Sequence, residues 1–162
     1  MTGLQNIIET AYENLPNEKK SKPWSFINHG VDLLENEDDL NCYLSAYGKM
    51  HEEKIHSALS TLTNLEEIFG RNYQVIDWGC GQGLATLCLI DYLKEKPKLG
   101  NPTKIILIEP SKPAINKADE YVKVSLGNNT KVELVVKALD DIVLSDIKIT
   151  EPITINFFSN IL

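Results

Sequence analysis

The stretch Val75-Ile76-Asp77-Trp78-Gly79-Cys80-Gly81-Gln82-Gly83 holds the residues best suited to chemistry. An apolar run from Tyr73 to Asp77 feeds a turn with three glycines. A helical pattern starts at once with Leu84-Ala85-Thr86-Leu87-Cys88-Leu89-Ile90. Glycine takes backbone angles that a Cβ forbids and lets a ligand come close to the main chain. The helix N-terminus that follows presents free N–H groups, which suit polar or anionic ligand atoms. A nucleotide-like ligand fits such a turn.

Spacing narrows the ligand. The dinucleotide fingerprint is G-x-G-x-x-G, whose third glycine lets the helix pack closely on the strand. Gly79 and Gly81 fill the first two positions, but the third falls on Leu84, and the remaining glycine is Gly83. Asp77 stands two residues before the first glycine. This Asp-x-Gly-x-Gly-x-Gly pattern resembles motif I of the class I S-adenosylmethionine-dependent methyltransferases. The resemblance implies a Rossmann-like fold with S-adenosylmethionine as cofactor. Asp77 would orient the loop, and Gly79, Cys80, Gly81 and Gly83 would hold the methionine end. The alternatives are an NAD-linked enzyme, for which Leu84 breaks the fingerprint, and a non-catalytic binding or interaction module.

A nucleoside ligand requires chemistry at neighbouring strand ends, because open α/β sheets bind ligands beyond the carboxyl ends of their strands. The second strand, Lys104–Glu109, ends in an acid. A carboxylate at that point accepts two hydrogen bonds from ribose hydroxyls. Glu109 also matches motif II of the family in position and role, and Pro110 and Ser111 follow where the family lays its adenine. The third strand, Val132–Ala138, lacks the acid with which the family often closes it. Asp140 comes late and reads as a helix cap. The backbone of Ala138 and Leu139 is left to border the adenine. Family members often cover the methionine end with N-terminal helices, and Tyr43, Tyr47, Lys49 and His51 are candidates for such a lid; the plainer reading makes them ordinary positions of a long helix.

Positioning these residues requires a sheet and the helices packed on it. Residues 1–70 read as a helical segment. Leu4, Ile7, Ile8 and Ala11 form one stripe at helical spacing, Pro16 closes that helix, and Lys19–Pro23 is a connector. The acidic run Glu35–Asp39 suits the first turn of a long helix over Leu40–Thr61. Thr63 with Glu66 has the form of a capping box. Residues 71–162 then alternate: strand Tyr73–Asp77, helix Gln82–Lys94, strand Lys104–Glu109, a helix capped by Ser111 and ended at Gly127, strand Val132–Ala138, a short turn, strand Ile153–Phe158. Such alternation predicts right-handed crossovers and a parallel sheet. The fold class is therefore α/β: a helical segment followed by a partial Rossmann-like sheet, strands 1 to 4 in the family order 3-2-1-4.

Two other constellations do not hold up. His51-Glu52-Glu53-Lys54-Ile55-His56 has its histidines at i and i+5, about 140° apart on a helix, whereas zinc ligands at i and i+4 share a face. Cys80 lies at a helix N-terminus, where a thiol pKa is sometimes lowered, but the family accepts many residues there and no nucleophilic role is assigned.

The 162 residues, 43% hydrophobic and 24% charged, are ordinary for one globular domain. No apolar run reaches the roughly 20 residues of a membrane span, and the first residues show no signal peptide. Three cysteines without a framework spacing suit a reducing cytoplasm. A net charge of −7 disfavours nucleic acid as a partner of this chain alone. The methyl acceptor is unspecified: RNA, protein and small molecules all remain open.

The family's sheet continues beyond strand 4, whereas this sequence stops at Asn160-Ile161-Leu162. The expectation is a shortened version of a longer protein, a natural fragment, or half of a structure that a partner chain or a dimer completes at the bare edge of strand 4. Amino-methylating members carry Asn/Asp-Pro-Pro-Tyr after strand 4. The matching Asn156-Phe157-Phe158-Ser159 lacks the prolines, which disfavours that subgroup.

Overall fold

The computed structural model describes residues 3–159; the end at Asn160-Ile161-Leu162, and Met1 and Thr2 at the start, lie outside them. Four strands, β1 (Tyr73–Trp78), β2 (Lys104–Ile108), β3 (Lys131–Val135) and β4 (Ile153–Phe157), form one sheet in the order β3-β2-β1-β4. Every pairing is parallel, with Ile76 beside Ile106 on one side and Asn156 on the other. The α/β class and strand order expected from the sequence are those of the structure.

The helices pack on one face. α1 (Gly3–Asn14) buries Leu4 and Ala11, two positions of its apolar stripe. Its first turn is held from afar, since Leu4 N donates to Asp91 Oδ2 at 3.0 Å. A short α2 (Asn17–Lys20) and two 3₁₀ turns (Pro23–Phe26 and Asn28–Gly30) lead to α3 (Glu37–Ser60). The acidic run performs as expected: Asn36 caps α3 by accepting from Asp39 N at 3.0 Å, and three acids occupy the first turn, where the helix dipole favours them. α4 is Leu65–Phe69, and its cap is Asn64 in the left-handed region (φ 59°) with no side-chain bond. The capping box read at Thr63 is therefore absent. α5 (Leu84–Lys94) is buried from Leu84 to Leu93, because it lies between the sheet and α3. α6 (Lys112–Leu126) starts at Ser111, whose Oγ accepts from Ala114 N at 3.2 Å, and ends at Gly127 (φ 69°).

Alternation along the strands divides the core. Tyr73, Val75, Ile105 and Leu107 join Leu4, Leu44, Ile55, Leu87 and Leu89 in one cluster. Residues on both sides of position 70 thus share a core. Ile76, Ile106 and Ile108 face the other way, toward Leu139, Ile142 and Ile147 of an irregular segment. β3 ends at Val135, earlier than expected. Lys137 N bonds back to Val135 O, and 3₁₀ turns follow at Leu139–Asp141 and Leu144–Asp146. An apolar groove of about 390 Å³ runs beside β4, bounded by Ile55, Ala58, Leu59, Ile68, Ile155 and Phe157. Among the described residues, no helix is long and apolar enough to cross a membrane.

Candidate functional site

The glycine turn connects β1 to α5 beyond the carboxyl end of the sheet. Gly79, Gly81 and Gly83 have φ of 61°, 52° and 78°, all in the region that favours glycine. At Gly83 a Cβ would also stand 3.1 Å from the Ala118 Cβ, so this glycine admits α6 to close packing. At Gly81 a Cβ would meet nothing within 4 Å.

Three of the turn's amides are already engaged. Cys80 N donates to Ile108 O, Gly83 N to Cys80 O, and Gly81 N to Glu109 Oε2 at 3.0 Å. Thr86 N and Thr86 Oγ1 both donate to Asp77 Oδ2, at 3.3 and 2.7 Å. The sequence led us to expect free N–H groups for an anion. In the structure the N–H groups of Cys80, Gly81, Gly83 and Thr86 hold the protein's own carboxylates and carbonyls.

Asp77 is fully buried, and its Oδ1 has no partner among the described residues. Burial pushes its carboxyl up to about 7, against the two Thr86 hydrogen bonds and with a smaller push from the Glu109 charge. Glu109 receives N–H bonds on both oxygens, from Gly81 and from Ser111 (2.9 Å). Burial raises its pKa while these two bonds hold it down. One carboxylate thereby ties the first loop to the second. Each of its oxygens keeps a further lone pair for an outside donor. Cys80 is a neutral thiol, raised well above its ordinary pKa by burial and by the neighbouring Asp77 and Glu109 charges.

A cleft of about 300 Å³ opens over this turn. Its floor is Gly79, Cys80, Gly81 and Gln82, with Glu109 and Pro110 at one end. Its roof is a strap that sequence reasoning missed, Gly30 to Leu34, with Tyr43 beside it. The strap is pinned where Ser111 Oγ donates to Leu34 O, deep in the protein. Asn28, His29 and Gly30 enter it with successive positive φ values of 44°, 56° and 84°. Gly30 lies against both Tyr43 and Tyr47, at 3.3 Å from a would-be Cβ. The only sequence signal was the His29-Gly30 pair, too common to single out.

Of the expected site residues, the structure gathers Gly79, Cys80, Gly81, Glu109 and Pro110 around one cleft, with Asp77 and Gly83 supporting the turn beneath. Ala138 and Leu139 stand outside the cleft lining: Ala138 is exposed, and Leu139 packs on the back face with Ile76, Ile106 and Ile108. Of the lid candidates, Tyr43 lines the cleft, while Tyr47 packs behind it at 5.3 Å between ring centroids. His51 is buried against Tyr43 with its Nε2 3.4 Å from the hydroxyl, and Lys49 is exposed. His56 packs instead on Tyr92, so the two histidines serve different contacts.

No family model matches the chain, and no curated protein does. Among solved structures similar to it is a SAM-dependent methyltransferase of the DUF858 family from Leishmania major. The identity is 15% and the TM-score 0.38, over 86% of this chain and 42% of that one. This chain therefore spans less than half of that protein's length, and a likeness of that degree does not decide what it binds.

Proposed function

We propose that the cleft binds S-adenosylmethionine and that the chain is the cofactor-binding part of a methyltransferase. One observation carries this reading. Among the described residues, the side chains bordering the cleft include the carboxylates of Asp32 and Glu109 and no lysine, arginine or histidine. A dinucleotide's diphosphate would meet this negative charge. S-adenosylmethionine carries a sulfonium and an ammonium against one carboxylate, so its charge suits these walls.

The residues present fit that cofactor. Both oxygens of Glu109 keep a lone pair for an outside donor, and the space over Gly81 admits close approach. Asp77, Gly79, Cys80, Gly81 and Gly83 hold the methionine end. Glu109 takes the ribose hydroxyls on its remaining lone pairs. Pro110 borders the adenine. Bound there, the cofactor supplies an electrophilic methyl group. The protein's part is to orient it and exclude water, which accounts for much of the catalysis of an in-line transfer. The acceptor is a molecule of unassigned class.

Titration calorimetry with S-adenosylmethionine, S-adenosylhomocysteine and NAD tests the reading. Binding of the first two, lost in Asp77→Ala and Glu109→Ala, is the expected result. Tight NAD binding without either adenosyl ligand overturns it.

The apolar groove beside β4 favours a second reading, a non-catalytic module whose edge strand pairs with a second copy of the chain. Light scattering across a concentration series would register that dimer, and the absence of adenosyl-ligand binding would then leave it as the better account.

A further inference from the structure

The strap that roofs the cleft also borders a second depression, of about 330 Å³, which shares Asp32, Leu33 and Leu34 with the cleft. Ile27 and Leu34 line it as buried side chains, while Phe26 and Leu33 beside them are 48% and 51% exposed. The carboxylates of Asp32, Glu35 and Asp39 complete the wall. Among the described residues, no ion pair includes any of these three acids. The sequence has no lysine or arginine from Pro23 to Gly48, a stretch that also holds Glu37 and Asp38. Trp24 and Val31, on the same segment, are exposed as well. An exposed apolar patch rimmed by polar groups marks an interaction surface.

Charge decides what fits it. In a two-fold contact a second copy would set these acids against themselves, and the net charge of −7 opposes its approach. An anionic membrane meets the same repulsion. A lysine or arginine side chain, by contrast, lays its aliphatic stem on apolar groups and keeps its charged head among carboxylates. The chain's own Lys19 shows this arrangement at Phe26: its Nζ lies 5.5 Å from the ring centroid and 2.7 Å from Asp38 Oδ2. We propose that the depression docks a basic, amphipathic segment of a partner protein. Its lysine or arginine side chains meet Asp32, Glu35 and Asp39, and its apolar residues meet Phe26 and Leu33. This docking does not depend on what the cleft binds.

Fluorescence anisotropy with two labelled probes on the whole chain tests it: a helical leucine–lysine peptide and its leucine–glutamate counterpart. The lysine peptide is expected to bind, more weakly as salt rises, and the glutamate peptide is expected not to. Phe26→Ser should weaken the lysine peptide by about fivefold or more, the scale of one apolar anchor. Glu35→Gln should weaken it by about two- to threefold, the scale of one exposed ion pair. Neither residue lines the cleft. Glu95→Gln makes the same charge change at the C-terminal end of α5 and should leave the affinity unchanged, which separates docking from general attraction to an acidic protein. Circular dichroism checks that each variant is folded; where Phe26→Ser fails that check, Glu35→Gln against Glu95→Gln decides. No binding of the lysine peptide, equal binding of both peptides, equal losses in Glu35→Gln and Glu95→Gln, or an affinity that survives the variants at the depression overturns the proposal. A dimer in light scattering that Phe26→Ser dissolves gives the surface to a second copy and overturns it too.

Discussion

On one face of the sheet, Val75, Ile105 and Leu107 meet α5 and the helices behind it; on the other, Ile76, Ile106 and Ile108 meet a segment with no helix longer than a single turn. The helical face is held by volume, through close-packed aliphatic side chains that are almost entirely buried. The opposite face is held by hydrogen bonds from two buried polar side chains. Gln74 Oε1 accepts from Thr150 N and Glu151 N at 2.9 and 3.2 Å. Lys104 Nζ donates to Lys148 O at 2.7 Å and pairs with Glu133 at 2.8 Å. Irregular backbone cannot satisfy itself, so side chains from the strands must supply its partners. Asp77 is the exception on the helical face, a buried carboxylate retained where the glycine turn begins.

If volume holds the helical face, Leu89→Ala in α5, at a side chain with no exposure, should cost about 3 kcal/mol in urea unfolding, through lost burial and a cavity. A loss below about 1 kcal/mol would mean this face is loosely packed.

The next effect concerns Asp77. Its folded pKa is raised, to about 7. As pH rises, the unfolded chain releases this proton near pH 4 and the folded chain only near 7, so wild type loses stability across that window and levels off above it. Asp77→Asn lacks this slope. The stability of the variant relative to wild type should climb by roughly 1.4 kcal/mol per pH unit between these limits. A pH-independent difference would remove Asp77 as a source of strain.

On the bonded face, Gln74→Leu should cost about 1 kcal/mol, since two amides lose an acceptor while the unpartnered Nε2 leaves as well. Its clearer readout is amide exchange, faster at Thr150 and Glu151 and unchanged in α5. Uniform acceleration would erase the distinction between the faces. The smallest change is expected at Lys123→Ala, which breaks an exposed pair with Asp119 on α6 and should cost no more than about 0.5 kcal/mol. A larger loss would place the outer surface of α6 within the cooperative core.

The strands were legible because β1 and β2 are continuous apolar runs, as parallel strands buried on both faces must be. α3 and α6 were legible from Asn36, the acidic run and Ser111. β3 was overextended because Val135-Val136 has strand composition, and only the turn back from Lys137 N to Val135 O ends it. The false cap at Thr63 has a similar origin. Thr63 and Glu66 fit a local pattern, while the chain takes its left-handed step at Asn64. Three conspicuous apolar residues of the 24–34 stretch, Phe26, Val31 and Leu33, proved to be about half exposed or more, because the strap spends its buried positions on Ile27 and Leu34.

What the sequence determined by itself was the framework: the alternation that makes a parallel sheet, the glycine turn at its switch from β1 to α5, and the acid that ends the second strand. These are local, and their periods and spacings can be read along the chain. The tertiary structure alone decided what the turn faces. Gln82 reaches Leu40 across 42 residues, Glu109 reaches Gly81 across 28, and Ser111 holds Leu34 across 77. A hydrogen bond over such separations is set by how the layers stack, which no residue spacing encodes. Those three contacts bring α3, the second strand's acid and the strap around the turn and so shape the cleft.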